Sequence, residues 1–590
     1  MKLRFLKIPF LLALAVGVVA QQPARIQQDI KYLASDELEG RLTGSKGATE
    51  AARYIAAEFK RLGLKPLANG ANKEGSDSPY LQQFPYVAGV SLGKRNTLTF
   101  SEDVAQLKLQ VSSDWLPLGF SSSTNVKGGL VFVGYGITAS ELNHNDYAEV
   151  NATGKIAIAL QGTPDGDNPH GQFGRFEGVR WKAVAARNAG AAALIIIARE
   201  PTFKDDRLTR LTYDNSGGDA GLPVIVISRQ AADQLLKASD VTLSQLEQSP
   251  TSRMLTGAVS LTTDIVRNEA PAYNVAAMIE GSDPVLKNEV IIIGAHYDHL
   301  GRGGEGSGSL APTSGEIHHG ADDNASGTAG VLELARLFNA QKPKRTIVFM
   351  AFSGEEEGLL GSNYYVNHPL LPLANTVAMI NMDMIGRMKD QRLIIGGVGT
   401  AKEWRDTISA DADKAFQLTL NEDGFGPSDH SSFYAKQIPV LFFWTGTHND
   451  YHKPSDTSDK IDYADEARIL EMVARIINRL DSADKRLTYT IAKSDPAPRT
   501  GGFRVYLGTI PNYSDSNDGL LLDGVRENSP AAKAGLKAGD KIVKIGDHHI
   551  RNVYDYTAAL GEMKAGQEYV FVVKRGAEQV SLKVVPEARK

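Results

Sequence analysis

Apolar and polar residues change their spacing along the chain, and each spacing predicts a different kind of element. Residues 24–66 follow a helical period that breaks at Asp36-Glu37-Leu38-Glu39-Gly40-Arg41. It resumes from Ala48 to Leu64, where Ala52, Tyr54, Ile55, Phe59 and Leu62 form one apolar stripe. Gly and Ser punctuate residues 69–78, which reads as a loop. From about 112 to 265 short β-type runs take over: Leu130 to Val133, Lys155 to Ala159 and Pro223 to Ile227. They surround a helix from Val179 to Ala189 that passes through Gly190 into the run Ala193 to Ile197. Residues 270–485 alternate strands (289–295, 345–352, 376–383, 438–443) with helices (327–339, 361–367, 401–416, 464–480). Such alternation predicts the α/β class, with a mixed, mostly parallel sheet flanked by helices on both faces. Lys493 to Arg499, with two prolines, reads as a linker. Beyond it the pattern is strand, a short helix begun at Ser529-Pro530 and stopped at Gly535, then a turn into the strand Lys541 to Ile545. No internal repeat of about 20–50 residues is apparent.

A chain of 590 residues is too long for one core and predicts about three or four domains. A net charge of −5 gives no electrostatic reason to expect a nucleic-acid partner. Cysteine is absent, which removes disulfides, thiolate metal sites and cysteine nucleophiles together. Any metal must then be held by histidine and carboxylates, a ligand set suited to zinc, cobalt or manganese. The first twenty residues read as a secretory signal: Lys2, Arg4 and Lys7, an apolar stretch from Ile8 to Val19, and small residues at Val18-Val19-Ala20. No later run is long and apolar enough to span a bilayer. The expectation is an exported bacterial protein, periplasmic or secreted, with no membrane association after signal cleavage.

Short acidic and histidine-bearing blocks between His296 and His452 supply the candidate chemistry. They are His296-Tyr297-Asp298, Asp322-Asp323-Asn324, Glu355-Glu356-Glu357, Asp383 and Tyr451-His452. The first, third and fourth end apolar, β-rich runs, so their side chains are expected to converge at strand ends, where α/β sheets build sites. A soluble core would otherwise have to bury several charged clusters without purpose. A two-metal hydrolytic site needs a bridging carboxylate, further ligands on each ion and a carboxylate base beside the shared water. His296 and Asp383 can serve one ion, Glu356 and His452 the other, and Asp323 can bridge. Asp298, two residues after His296 on the same strand face, can fix the imidazole tautomer. Glu355 is placed to take a proton from water. Asp322 reads as a helix-start carboxylate. His299, His318, His319 and His430 read as ordinary hydrogen-bonded histidines. The Gly-rich span Gly301 to Gly320 lacks the ending of a phosphate loop and reads either as a flexible connection or as a rim beside the metals.

These blocks resemble peptidase family M28. The chain carries, in order, a His-x-Asp strand end, Asp323-Asn324-Ala325-Ser326-Gly327, Glu355-Glu356-Glu357-Gly358-Leu359, the isolated Asp383 and His452-Lys453-Pro454-Ser455-Asp456-Thr457. The resemblance implies two zinc ions (with Co2+ or Mn2+ as substitutes), exopeptidase chemistry on peptide substrates and Glu355 as general base. It also implies Tyr451 as a donor to the tetrahedral oxyanion, and Glu355 with Glu356 as the functional pair, leaving Glu357 a bystander. Residues 182–191 resemble a protease-associated (PA) domain. Residues 501–590, through Gly524 to Leu536 and Gly539 to Ile545, resemble a PDZ domain. Its Tyr506-Leu507-Gly508-Thr509 turn could present backbone amides to a peptide C-terminus.

The organisation expected is thus a signal peptide over 1–20, a peptidase domain over 21–111 and 266–490, a PA insertion over 112–265, a linker over 491–500 and a PDZ domain over 501–590. An exported aminopeptidase is the leading reading. A carboxypeptidase, with Arg302 and Arg387 as carboxylate holders, and a non-catalytic PA/PDZ receptor stand beside it. A one-metal glutaminyl cyclase fits less well, because five ligands are present.

Overall fold

A computed structural model describes the chain except residues 1–10, 69–77, 103–104, 167–170, 214–217, 305–306, 493–504, 513–517, 527 and 589–590. It divides into two compact units, Met1–Tyr86 with Ala270–Pro496, and Val87–Glu269 with Ala497–Lys590.

The first unit is built on a nine-stranded sheet. At its centre Thr346–Phe352, Val290–His296, Thr376–Met382 and Val440–Trp444 lie side by side and parallel. Their apolar runs are unbroken because both faces are covered. Ile291, Ile293, Ile347, Phe349, Ala378 and Ile380 enter a core with residues of the helices Lys46–Arg61, Gly327–Asn339 and Tyr463–Ser482. The alternate positions Ile292, Val348, Met350 and Met379 pack with Tyr365, Val366, Phe433 and Tyr434 on the other side. Antiparallel pairing appears on both flanks, by Ile265–Ile279 on one side and Arg392–Gly396 on the other. The periodicity missed those two strands, and also Gln417–Leu420, which begins directly after the predicted helix 401–416. The helix there is only Trp404–Asp411. Part of the predicted signal, residues 1–10, lies outside the described residues, and the helix Leu11–Leu33 takes in the rest. Among the described residues no helix is long and apolar enough to cross a membrane.

The second unit holds an eight-stranded sheet in which Asn125–Phe132, Ile156–Leu160, Ala193–Ile197 and Val224–Ile227 are consecutive and parallel. Thr97–Glu102 and Ala105–Leu109 pair into the same sheet. The expected boundary at 112 therefore falls inside this sheet, and the insertion takes in strands before it. The C-terminal segment has its own core around Leu522, Ile542, Phe571 and Val573. Its short helix Pro530–Lys533 starts at Ser529, whose side chain accepts from the Ala532 amide with proline in the first turn, as the sequence pattern anticipates.

That segment does not stand alone. Its helix Val553–Glu562 packs on the insertion's helix Val179–Asn188. Arg187 forms an ion pair with Asp555, and the Arg180 guanidinium lies 5.0 Å over the Tyr554 ring. The predicted linker falls mostly on residues outside those described. Asp555 is buried, so Asp555→Ala leaves Arg187, a largely buried charge, without its ion-pair partner. The expected loss is about 3 kcal/mol, seen as a lower unfolding midpoint for this unit. An unchanged midpoint would make the contact incidental.

Candidate active site

The donors gather at the carboxyl ends of the central parallel strands. His296 is the last residue of its strand and sits level with Phe352, two residues before Gly354 opens the Glu355-Glu356 turn. Asp383 follows Met382 directly, with its amide donating to Phe443 O across the neighbouring strand. Asp323 comes from the irregular turn Ala321–Ser326 that leads into the helix Gly327–Asn339, and the Asp323–Asn324 peptide is cis. His452 arrives on the loop after Val440–Trp444.

The distances place two groups of donors around the one Asp323 carboxylate. His296 Nε2 is 3.4 Å from Asp323 Oδ1 and 3.4 Å from Asp383 Oδ1. His452 Nε2 is 3.2 Å from Asp323 Oδ2 and 3.2 Å from Glu356 Oε2. Donors that surround a tetrahedral zinc at about 2.0–2.1 Å lie about 3.3–3.4 Å from one another, so these edges are of the right length for a shared ion. His296 Nε2 and Asp383 Oδ1 are both buried without a hydrogen-bond partner, as atoms awaiting a cation would be. The donor set fits the metal chemistry expected of it. Glu355 Oε2 stands 3.9 Å from His296 Nε2, beside this group.

The electrostatics agree. Burial, with Glu356 nearby, pushes Asp323 up to about 8, and burial raises Glu355 well above the usual carboxylate range. Burial would depress His452, but its bonds to Asp323 and Glu356 carry it up to about 11. Crowded carboxylates of this kind require bound cations, or protons in their place. Without metal, the folded state therefore holds more protons than the unfolded chain between about pH 4 and pH 8, and its stability falls as pH rises. Melting the metal-free protein at pH 5 and pH 8 should show the lower midpoint at pH 8. A midpoint higher at pH 8 would contradict this.

Surrounding residues fix the donors. Asp298 accepts from Thr43 Oγ1 at 2.9 Å and from the Glu355 amide at 3.2 Å. His296 Nδ1 reaches the Asp298 carbonyl at 3.3 Å, while the Asp298 carboxylate at 3.7 Å is beyond hydrogen-bond range. The carboxylate partner expected from the sequence is replaced by the Asp298 backbone oxygen, and the carboxylate instead braces the Glu355 turn. Asp322 is buried, but its Oδ1 accepts from the Gly386 amide at 2.7 Å, so it ties down the loop after Asp383. The Tyr451 ring stacks 3.8 Å from that of His452, and burial with the neighbouring carboxylates raises its hydroxyl, keeping it a neutral donor. Glu357 Oε1 accepts from Tyr86 at 3.3 Å.

The other histidines divide. His318 bonds Ser309 at 2.7 Å, His319 bonds Asp36 at 2.8 Å, and His430 stacks on Phe442. His299 departs from expectation: its Nδ1 lies 2.7 Å from Glu356 Oε1. The only sequence signal was its place one residue after His-x-Asp. Two more residues were seen in the sequence without a role being assigned to them. Asp456 Oδ2 accepts from the amides of Asp322 and Asp323 at 3.0 and 3.1 Å, linking the His452 loop to the Asp323 turn. Arg41 is fully buried and donates to the carbonyls of Leu33, Tyr297, His319 and Gly320. Gly40 precedes it at φ +71°, where a Cβ would lie 2.5 Å from the Gly301 and His318 carbonyls, so only glycine fits.

Comparison with known proteins finds family matches in three segments of the chain. Residues 274–477 match the model of peptidase family M28, 126–235 the PA domain and 508–585 the PDZ domain. Aminopeptidase YwaD of Bacillus subtilis is 25% identical over 409 residues, covering 64% of this chain and 77% of that protein. A probable leucine aminopeptidase of Arthroderma otae is 32% identical over 191 residues, 31% of this chain and about half (51%) of that relative. Among solved structures, the aminopeptidase from Aneurinibacillus sp. strain AM-1 aligns at 22% identity and a TM-score of 0.45, over 82% of this chain and 98% of that one. The chain is thus similar to peptidase family M28 over residues 274–477, with a match to the PA domain before that segment and to the PDZ domain after it.

Proposed function

We propose that this zinc-dependent aminopeptidase is exported and releases N-terminal amino acids from peptides, using two zinc ions and Glu355 as general base. The observation that carries the reading is the sharing of Asp323. One of its oxygens faces His296, whose Nε2 also lies 3.4 Å from Asp383, and the other faces His452, whose Nε2 also lies 3.2 Å from Glu356. His296, Asp323 and Asp383 would hold one ion, and Asp323, Glu356 and His452 the other. When bound, such ions polarise the scissile carbonyl and make water a usable nucleophile near neutral pH. A relative named as a probable zinc metalloprotease supports zinc as the ion.

The chain's own residues do the rest. Glu355 accepts the proton of the attacking water and delivers it to the leaving amine, its turn braced by Asp298. Tyr451, a neutral phenol against His452, donates to the oxyanion. Glu355 and Asp383 hold the substrate's α-ammonium. Arg387 and Arg302 contact Asp450 and Glu39, at 3.3 and 3.4 Å, which favours the aminopeptidase over a carboxypeptidase. Peptide C-termini at the PDZ domain belong to the same reading.

Elemental analysis should give two ions per active chain. The same preparation should turn over free peptides at least about 100-fold faster than N-acetylated ones, since acetylation removes a charge-assisted contact and adds bulk. Equal rates would overturn the aminopeptidase reading.

A further inference from the structure

His299 serves none of the roles above, yet its ring is fully buried against one of the proposed ligands. Its Nδ1 is 2.7 Å from Glu356 Oε1, while its Nε2 is buried with no hydrogen-bond partner. An ionised carboxylate only accepts, so the bond requires the proton on Nδ1. The ring has little freedom to leave. A Cβ on Gly320 would sit 2.6 Å from its Cγ and Cδ2, the His299 amide donates to Arg41 O at 3.2 Å, and the His452 ring stands edge-on at 5.9 Å. The two oxygens of Glu356 therefore have separate tasks: Oε1 is taken by His299, and Oε2 faces His452 Nε2 at 3.2 Å.

We propose that His299 is a positioning residue that holds Glu356 by one oxygen, so that only Oε2 is offered to the ion shared with Asp323 and His452. The inference rests on the two-ion reading of the site. Partners of this kind, outside the ligands themselves, typically contribute about 10–100-fold to metal affinity. In its place a bare carboxylate could rotate or present both oxygens, and that ion's site would lose its fixed geometry.

The test is titration of the metal-free full-length chain with Zn2+ against a chelating indicator, which needs no turnover. His299→Leu should weaken one of the two binding steps by about 10–100-fold and leave the other within about threefold. His299→Asn carries an amide N–H close to the position of Nδ1 and should restore the weakened step to within about threefold of the parent chain. If the leucine variant binds both ions as the parent does, or if both steps weaken together, the proposal is overturned. It is equally overturned if the asparagine variant is as weak as the leucine one, which would make the ring nitrogen a ligand. A parent chain that binds fewer than two ions would instead remove the two-ion reading itself, an outcome seen before any variant is compared.

Discussion

Glu355→Gln is expected to keep both ions and to lower kcat by about 10²–10⁴-fold, the usual contribution of a positioned general base. The amide is nearly isosteric with the carboxylate but cannot take a proton from water. Glu355 Oε2 stands 3.9 Å from His296 Nε2, farther than the 3.2 and 3.4 Å edges between the proposed ligands, so those edges do not depend on it. Metal content measured on the same preparation separates lost chemistry from lost metal. Undiminished turnover would move the base elsewhere. Glu357 would be the next residue to test, although its contact with Tyr86 draws it away from the donors.

Asp323→Ala is expected to act on the metals first. Both donor groups include this carboxylate, one through each oxygen, so its removal strips a ligand from each. Metal content should fall from two ions to fewer than one. The rate should drop by about 10⁴-fold or more, since Lewis-acid stabilisation contributes several kcal/mol and each 1.4 kcal/mol is tenfold. His452→Ala removes a ligand from one group only and should release a single ion. Elemental analysis of the two variants side by side distinguishes a bridge from two independent sites. An Asp323→Ala protein that still holds two ions would show that Asp323 does not bridge.

His296, Glu356 and Asp383 were legible in the sequence because each lies just where an apolar run ends, whereas Asp323 and His452 stood out only through their motifs. Val290 to Ile293 is an apolar run too continuous for an exposed strand, and the polar residues that follow it must lie at a strand end. The same holds for the run before Glu355 and the run before Asp383. What the sequence concealed is set by contacts between distant segments. Ile265–Ile279 begins Ile-Val-Arg-Asn-Glu, with Val266 to Glu269 exposed, and so lacks the uniform apolar character of the central strands. Arg392–Gly396 and Gln417–Leu420 are short and lie toward the sheet's edge. Asp456 stands in the late motif, but its role is visible only through the amides it caps more than 130 residues earlier. His299 read as an ordinary histidine because a ring's partner cannot be inferred from its neighbours in the chain. The insertion's first strands were assigned to the peptidase because nothing in their composition marks the boundary; their pairing with Arg253–Thr262 does.

Arg41 sets an order of events for the nascent chain. Its carbonyl acceptors at Tyr297, His319 and Gly320 lie 256 to 279 residues further along. At about 5–20 residues per second, some 15–60 seconds of synthesis separate this arginine from the last of them. Through that interval the first helices carry an apolar face whose partners do not yet exist, while the contiguous segment Val87–Glu269 has its strands available in full. Contacts of such long sequence separation slow folding by their loop-closure entropy. The peptidase unit is therefore the slow-folding part of the chain, and its N-terminal segment is the part that a chaperone would have to shield longest.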